Sequence, residues 1–157
     1  MDKKIKINLI IFISFIVASL IFTILLTVVD VRSSINNDKL GFASINENVF
    51  YADFEDNSSA KAFSSKLESG SIEVDMHDYG SFEKVGALPW TIERNDKNIT
   101  TEPGDVILYQ GNQITIYYDE NSWSFTRLAK IRETSKKELL EVLGDGSVTV
   151  RFSLEYR

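Results

Sequence analysis

Asp105-Val106-Ile107-Leu108-Tyr109-Gln110-Gly111-Asn112-Gln113-Ile114-Thr115-Ile116-Tyr117-Tyr118 places two short runs rich in β-branched and aromatic residues on either side of a Gly-Asn pair. Such runs favour the pleated strand, and a Gly-Asn pair between them predicts a tight hairpin. Working outward, Phe125 to Arg132 forms a further strand, and Ser147 to Leu154 alternates Val148, Val150, Phe152 and Leu154 against polar neighbours as the last one. Upstream, Ser71 to Met76 alternates Ile72, Val74 and Met76 with Glu73 and Asp75. Phe42 to Ile45 and Val49 to Phe54, joined at Asn46-Glu47-Asn48, predict a first hairpin. Two helices interrupt the strands. One is capped at Asp56, Asn57 or Ser58, carries Ala60, Ala62, Phe63 and Leu67, and stops near Gly70; the other opens on the capping box Ser135-Lys136-Lys137-Glu138 and ends at Gly144. His77 to Thr101, with scattered Gly, Pro and aromatics, is expected to be a long irregular connection. Two short helices among mostly strands, without a βαβ rhythm, predict a mainly β, closed antiparallel barrel with helices over its open ends.

The hydrophobic residues are unevenly spread. Residues 7–29, INLIIFISFIVASLIFTILLTVV, carry no charge over 23 positions. At about 1.5 Å per residue such a helix crosses a hydrocarbon core of about 30 Å. A cleavable secretory signal has a shorter apolar region ending in small residues, and Leu26-Thr27-Val28-Val29 offers none, so an uncleaved transmembrane signal anchor is expected. Lys3, Lys4 and Lys6 precede the span and only Arg32 follows closely, so residues 1–6 are expected in the cytoplasm and the C-terminal domain outside it. Residues 30–39 form a polar stalk, and residues 40–157 hold both tryptophans and all six tyrosines, enough to fill one core.

Residues 31–157 carry 14 Lys and Arg against 21 Asp and Glu, a net charge of −7 that makes nucleic acid a poor partner. The absence of cysteine excludes disulfides, thiolate nucleophiles and Cys-based metal sites. With a single histidine no Ser-His-Asp arrangement can be argued, and no Gly-rich phosphate loop or dinucleotide fingerprint is present. No cofactor and no metal are expected. Glu73, Asp75 and His77 share one strand face, yet such a face is more often merely solvated; Asp53, Glu55 and Asp56 are better explained by the helix start beside them.

Glu55-Asp56-Asn57-Ser58-Ser59-Ala60-Lys61-Ala62-Phe63, Gly86-Ala87-Leu88-Pro89, Pro103-Gly104-Asp105-Val106-Ile107-Leu108-Tyr109, Asn121-Ser122-Trp123-Ser124-Phe125-Thr126-Arg127-Leu128 and Gly144-Asp145-Gly146-Ser147-Val148-Thr149-Val150 occur in an order and spacing that resembles the bacterial cyclophilin-like domain family, from about Phe42 to Glu155. The resemblance implies a cyclophilin-type β-barrel and leaves the activity open. In true cyclophilins an arginine in a Phe-His-Arg signature polarises the prolyl amide, and this signature is absent here: His77 is followed by Asp78 and Tyr79. Arg127 would be the arginine of a divergent peptidyl-prolyl isomerase assisting exported proteins, unless it pairs with Asp105 or Glu133 on the barrel wall. The favoured expectation is a non-enzymatic module that binds an envelope peptide or small ligand in a groove of Trp90, Tyr109, Asn112, Gln113, Ser124 and Arg127.

Overall fold

The computed structural model describes residues 16–23, 39–45 and 47–156. The chain divides into two compact units, Met1–Asp38 and Lys39–Arg157. In the first, residues 16–23 are helical and exposed; the rest of the expected span 7–29 lies outside the described residues. Among the described residues no helix is long and apolar enough to cross a membrane.

Among the described residues the second unit has nine strands: β1 (Lys39–Ile45), β2 (Asn48–Phe54), β3 (Ile72–Tyr79), β4 (Glu83–Ala87), β5 (Lys97–Thr100), β6 (Asp105–Tyr109), β7 (Gln113–Tyr117), β8 (Ser122–Ile131) and β9 (Ser147–Tyr156). Its two helices are α1 (Ser58–Leu67) and α2 (Lys136–Leu143). Eight strands pair antiparallel in the order β2-β1-β9-β3-β4-β7-β6-β8, and a β2–β8 pairing closes the barrel. An eight-stranded barrel has an interior that side chains alone can fill. Here Ala43, Ile45, Val74, Met76, Val106, Leu108, Ile114, Ile116, Leu128, Val150 and Phe152 fill it, each at most 4 % exposed.

The helices complete this core. Asn57 caps α1, its Oδ1 accepting from Ala60 N at 2.8 Å while Nδ2 donates to the Arg127 carbonyl at 2.9 Å, so one side chain starts the helix and ties it to β8. Phe63 then meets Phe54, Trp90 and Phe152 edge-on, with ring centroids 6.0 to 6.3 Å apart. At α2 the reciprocal capping box forms between Ser135 and Glu138, and Leu139 and Leu143 are buried.

His77 to Thr101 departs from the expected irregular connection, because β4 and β5 both lie within it. β4 is Glu-Lys-Val-Gly-Ala, of which the first four residues are buried. Strand pattern rules look for apolar residues on the buried side, and here that side carries Lys84 and Gly86. Gly86 is required: a Cβ there would stand 2.4 Å from Val74 Cγ1 and 2.7 Å from the Asp75 carbonyl. The β6–β7 turn is also shifted by one residue. Gln110 and Gly111, not Gly111 and Asn112, hold positive φ (52° and 82°), and Asn112 N bonds Tyr109 O.

Candidate functional site

Alternation along β3, β4, β6 and β7 sends one set of side chains into the barrel and the other onto its outer face. Tyr79 stands opposite Glu83 and Glu83 opposite Tyr117; His77, Val85, Thr115 and Ile107 form the next row; Ala87, Gln113 and Tyr109 form the third. Trp123 and Phe125, two apart on β8, extend this surface. Ile107, Tyr117 and Phe125 make a second buried cluster, with Phe82 and Ile99 packed against it. Tyr79 meets Phe82 edge-on, Phe82 stacks on Tyr117 with centroids 5.9 Å apart, and Tyr117 lies 5.5 Å from Phe125.

Above this floor opens a cleft of about 540 Å³, a size suited to a small molecule or a few peptide residues. Its rim is aromatic: Trp123 is 66 % exposed, Tyr79 63 % and Tyr109 38 %. Its floor is polar. Glu83 is only 7 % exposed and lines the cleft, and neither its Oε2 nor Thr115 Oγ1 has a partner at hydrogen-bonding geometry. Burial pushes the Glu83 carboxyl above its ordinary range, against a smaller opposing pull from the Tyr117 and Thr115 hydroxyls. Burial and the adjacent Glu83 push the Tyr117 hydroxyl strongly upward in turn, so it stays a neutral phenol. A flatter depression of about 480 Å³ lies along β5 and the start of β8, lined by Asn98, Ile99, Thr100, Ser122, Trp123 and Ser124. All six belong to one two-stranded ribbon, and Thr100 and Ser122 already satisfy each other at 2.7 Å, so the deeper cleft is the better site.

The structure does not bring the six sequence-derived groove residues together. Tyr109 and Gln113 line the cleft. Trp90 instead packs against the core, edge-on to Phe63 at 6.2 Å. The Asn112 side chain is exposed in the turn, while its carbonyl accepts from Leu88 N at 2.8 Å. Ser124 lies in the flat depression, because its parity on β8 is opposite to that of Trp123 and Phe125. Arg127 has the outer-face parity, but its Nη2 donates to Asp105 Oδ2 at 2.8 Å and its Nη1 lies 3.7 Å from Glu55. Wall pairing through Asp105 is therefore what its guanidinium does.

Glu83, Tyr79 and Phe82 are the cleft residues that the sequence did not single out. Recognising β4 as a strand would have placed Glu83 between Tyr79 and Tyr117. Glu73, Asp75 and His77 are all exposed on one face of β3, with Asp75 bonded to Thr149 at 2.6 Å and His77 at the edge of the cleft, and Asp56 pairs with Lys61 at 2.6 Å. Among the described residues no group of three or more His, Cys, Asp or Glu side chains is placed to hold a metal ion.

The protein is thus a closed eight-stranded antiparallel β-barrel with a cleft on its outer face. The sequence profile of the cyclophilin-like family matches residues 43–153. The chain belongs to the cyclophilin-like family. No curated protein matches it.

Proposed function

We propose that the protein is a membrane-anchored binding module, held by residues 7–29 with its barrel outside the cytoplasm, which takes a small ligand or peptide segment in the outer-face cleft. The anchor rests on the 23 uncharged positions and the lysines before them. The binding role rests on one observation: exposed Tyr79, Tyr109 and Trp123 rim a cleft whose floor holds the buried, unpartnered Oε2 of Glu83. Exposed aromatics over a few convergent polar groups are the usual composition of a recognition pocket. Against prolyl isomerisation stands the lining itself, which has no arginine, while Arg127 is engaged by Asp105.

The test is NMR of the full chain in maltoside micelles against a panel of small amines, amides, alcohols and an Ala-Ala-Pro-Phe peptide. Saturable shifts are expected at Tyr79, Gln113, Asn121 and Trp123, without accelerated exchange between the cis and trans peptide signals. Shifts centred on Trp90 and Arg127, or no saturable shift in the cleft from any member, would overturn the cleft assignment. Accelerated exchange would establish the isomerase instead.

A further inference from the structure

We propose that the cleft takes an organic ammonium ion, whose charge Glu83 neutralises and whose apolar body lies against Tyr79, Phe82, Tyr109 and Trp123. This rests on the binding role above and names the class of ligand.

Three observations converge on a cation. The first is Glu83 itself, more than nine-tenths buried, lining the cleft, with Oε2 unpartnered. Buried carboxylate oxygens are ordinarily hydrogen-bonded, and the floor of this cleft holds one with no partner at hydrogen-bonding geometry, a deficit that an incoming cation offsets. No fixed cation beside Glu83 neutralises it. His77 and Tyr79 come from β3, Thr115 and Tyr117 from β7, Tyr109 from β6, and neither a lysine nor an arginine lines the cleft. Lys84, next in sequence, faces the other side of β4 and is bound to Asp78 at 2.7 Å.

The second observation is the aromatic composition. Tyr79, Phe82, Tyr109, Tyr117, Trp123 and Phe125 all line the same space. Ring faces carry negative charge density and attract ammonium groups, most strongly where water is excluded. An anion would meet both these rings and Glu83 with repulsion, and a purely apolar ligand would leave Oε2 buried without a partner. The third is the wider field, since residues 31–157 carry a net charge of −7, which draws cations towards the domain.

A free amine and a lysine side chain on a peptide share this chemistry, and separate arms distinguish them. Trp123 fluorescence of the full chain in maltoside micelles is titrated with choline, with its uncharged isostere 3,3-dimethylbutan-1-ol, and with Nα-acetyl-lysine amide. Choline is expected to bind at least about tenfold more tightly than the isostere, the discrimination worth roughly one charge–ring contact plus one ion pair. Tighter binding of the lysine derivative than of choline would assign the site to peptide side chains, and the reverse to free amines. E83Q keeps the side-chain shape and is expected to abolish the preference for choline over the isostere. Equal affinity for choline and isostere, binding of neither, or an undiminished preference in E83Q would overturn the proposal. Should E83Q fail to fold, the two probes on the native chain still decide it. If other members of the NMR panel still shift the cleft when choline does not, the ligand class alone is wrong; if nothing shifts it, the binding role falls as well.

Discussion

Replacing Lys84 with methionine is expected to lower the stability of the barrel by about 3 kcal/mol, measured by urea unfolding of the full chain. Lys84 is fully buried on the inner side of β4, yet carries a charge into the barrel. Its Nζ donates to the carbonyls of Gly144 and Gly146 at 2.9 and 2.7 Å and pairs with Asp78 at 2.7 Å. Asp78 in turn accepts from Gly146 N at 2.9 Å and from the Tyr118 hydroxyl at 3.2 Å. This network fastens the α2–β9 turn to β3, β4 and Tyr118, the residue after β7. Methionine matches the length and apolar stem but leaves two carbonyls without their donor, at about 1–3 kcal/mol each. The Asp78 side chain is 38 % exposed and rehydrates, so the loss of its partner adds less.

The same network has a pH signature. Burial opposes ionisation of Asp78, but Lys84, Gly146 and Tyr118 outweigh it and hold the carboxyl below its ordinary value of 3.8. A carboxyl depressed on folding stabilises the fold above its unfolded value, and that contribution is lost as pH falls through the folded one. The acid limb of the stability curve is therefore expected to flatten in K84M. Tyr118 is affected in the opposite sense, its hydroxyl pushed up to about 12 by burial and by Asp78.

Asp105→Ala is expected to cost about 2–4 kcal/mol in the same assay while leaving cleft binding intact. Asp105 is 0 % exposed; Oδ2 accepts from Glu102 N at 2.9 Å and from Arg127 at 2.8 Å, and Oδ1 lies 3.0 Å from Lys130. A register shift in the β6–β8 pairing, between Val106 and Ile107, explains how one carboxylate reaches two cations three residues apart. In a regular strand Arg127 and Lys130 would point to opposite faces. Removing the carboxylate leaves Glu102 N without its acceptor, whereas Arg127 and Lys130, 29 % and 36 % exposed, gain water. Loss of cleft binding in D105A without loss of fold would assign Arg127 a part in recognition that its geometry does not give it.

Elements whose buried side is apolar were legible from the residues alone. The Val148, Val150, Phe152 alternation, the strand run that opens at Gln113 and the Ser135–Glu138 cap all form where their patterns place them. β4 was hidden because its inner positions are a lysine and a glycine, each justified only by partners far away in sequence: Gly144 and Gly146 for Lys84, Val74 and Asp75 for Gly86. Losing β4 meant losing the cleft, since Glu83 takes its meaning from Tyr79 on one side and Tyr117 on the other. Parity along β8 did carry usable information. Ser124 and Arg127 are three apart and cannot share a face of a regular strand, and of Trp123, Ser124 and Phe125 it is Trp123 and Phe125 that line the cleft. Trp90 was harder, because nothing local shows that an irregular segment folds back onto Phe63 of a helix.

The most direct measurement is a carboxyl-carbon NMR titration of Glu83 in the full chain, with and without choline. Glu83 is expected to hold its proton above the ordinary glutamate range, because burial penalises its charged form, and to ionise at lower pH once choline supplies the missing counter-charge. A Glu83 that titrates in the ordinary range, or whose midpoint choline leaves unmoved, would contradict the reading of the cleft as a cation site built over a buried carboxyl.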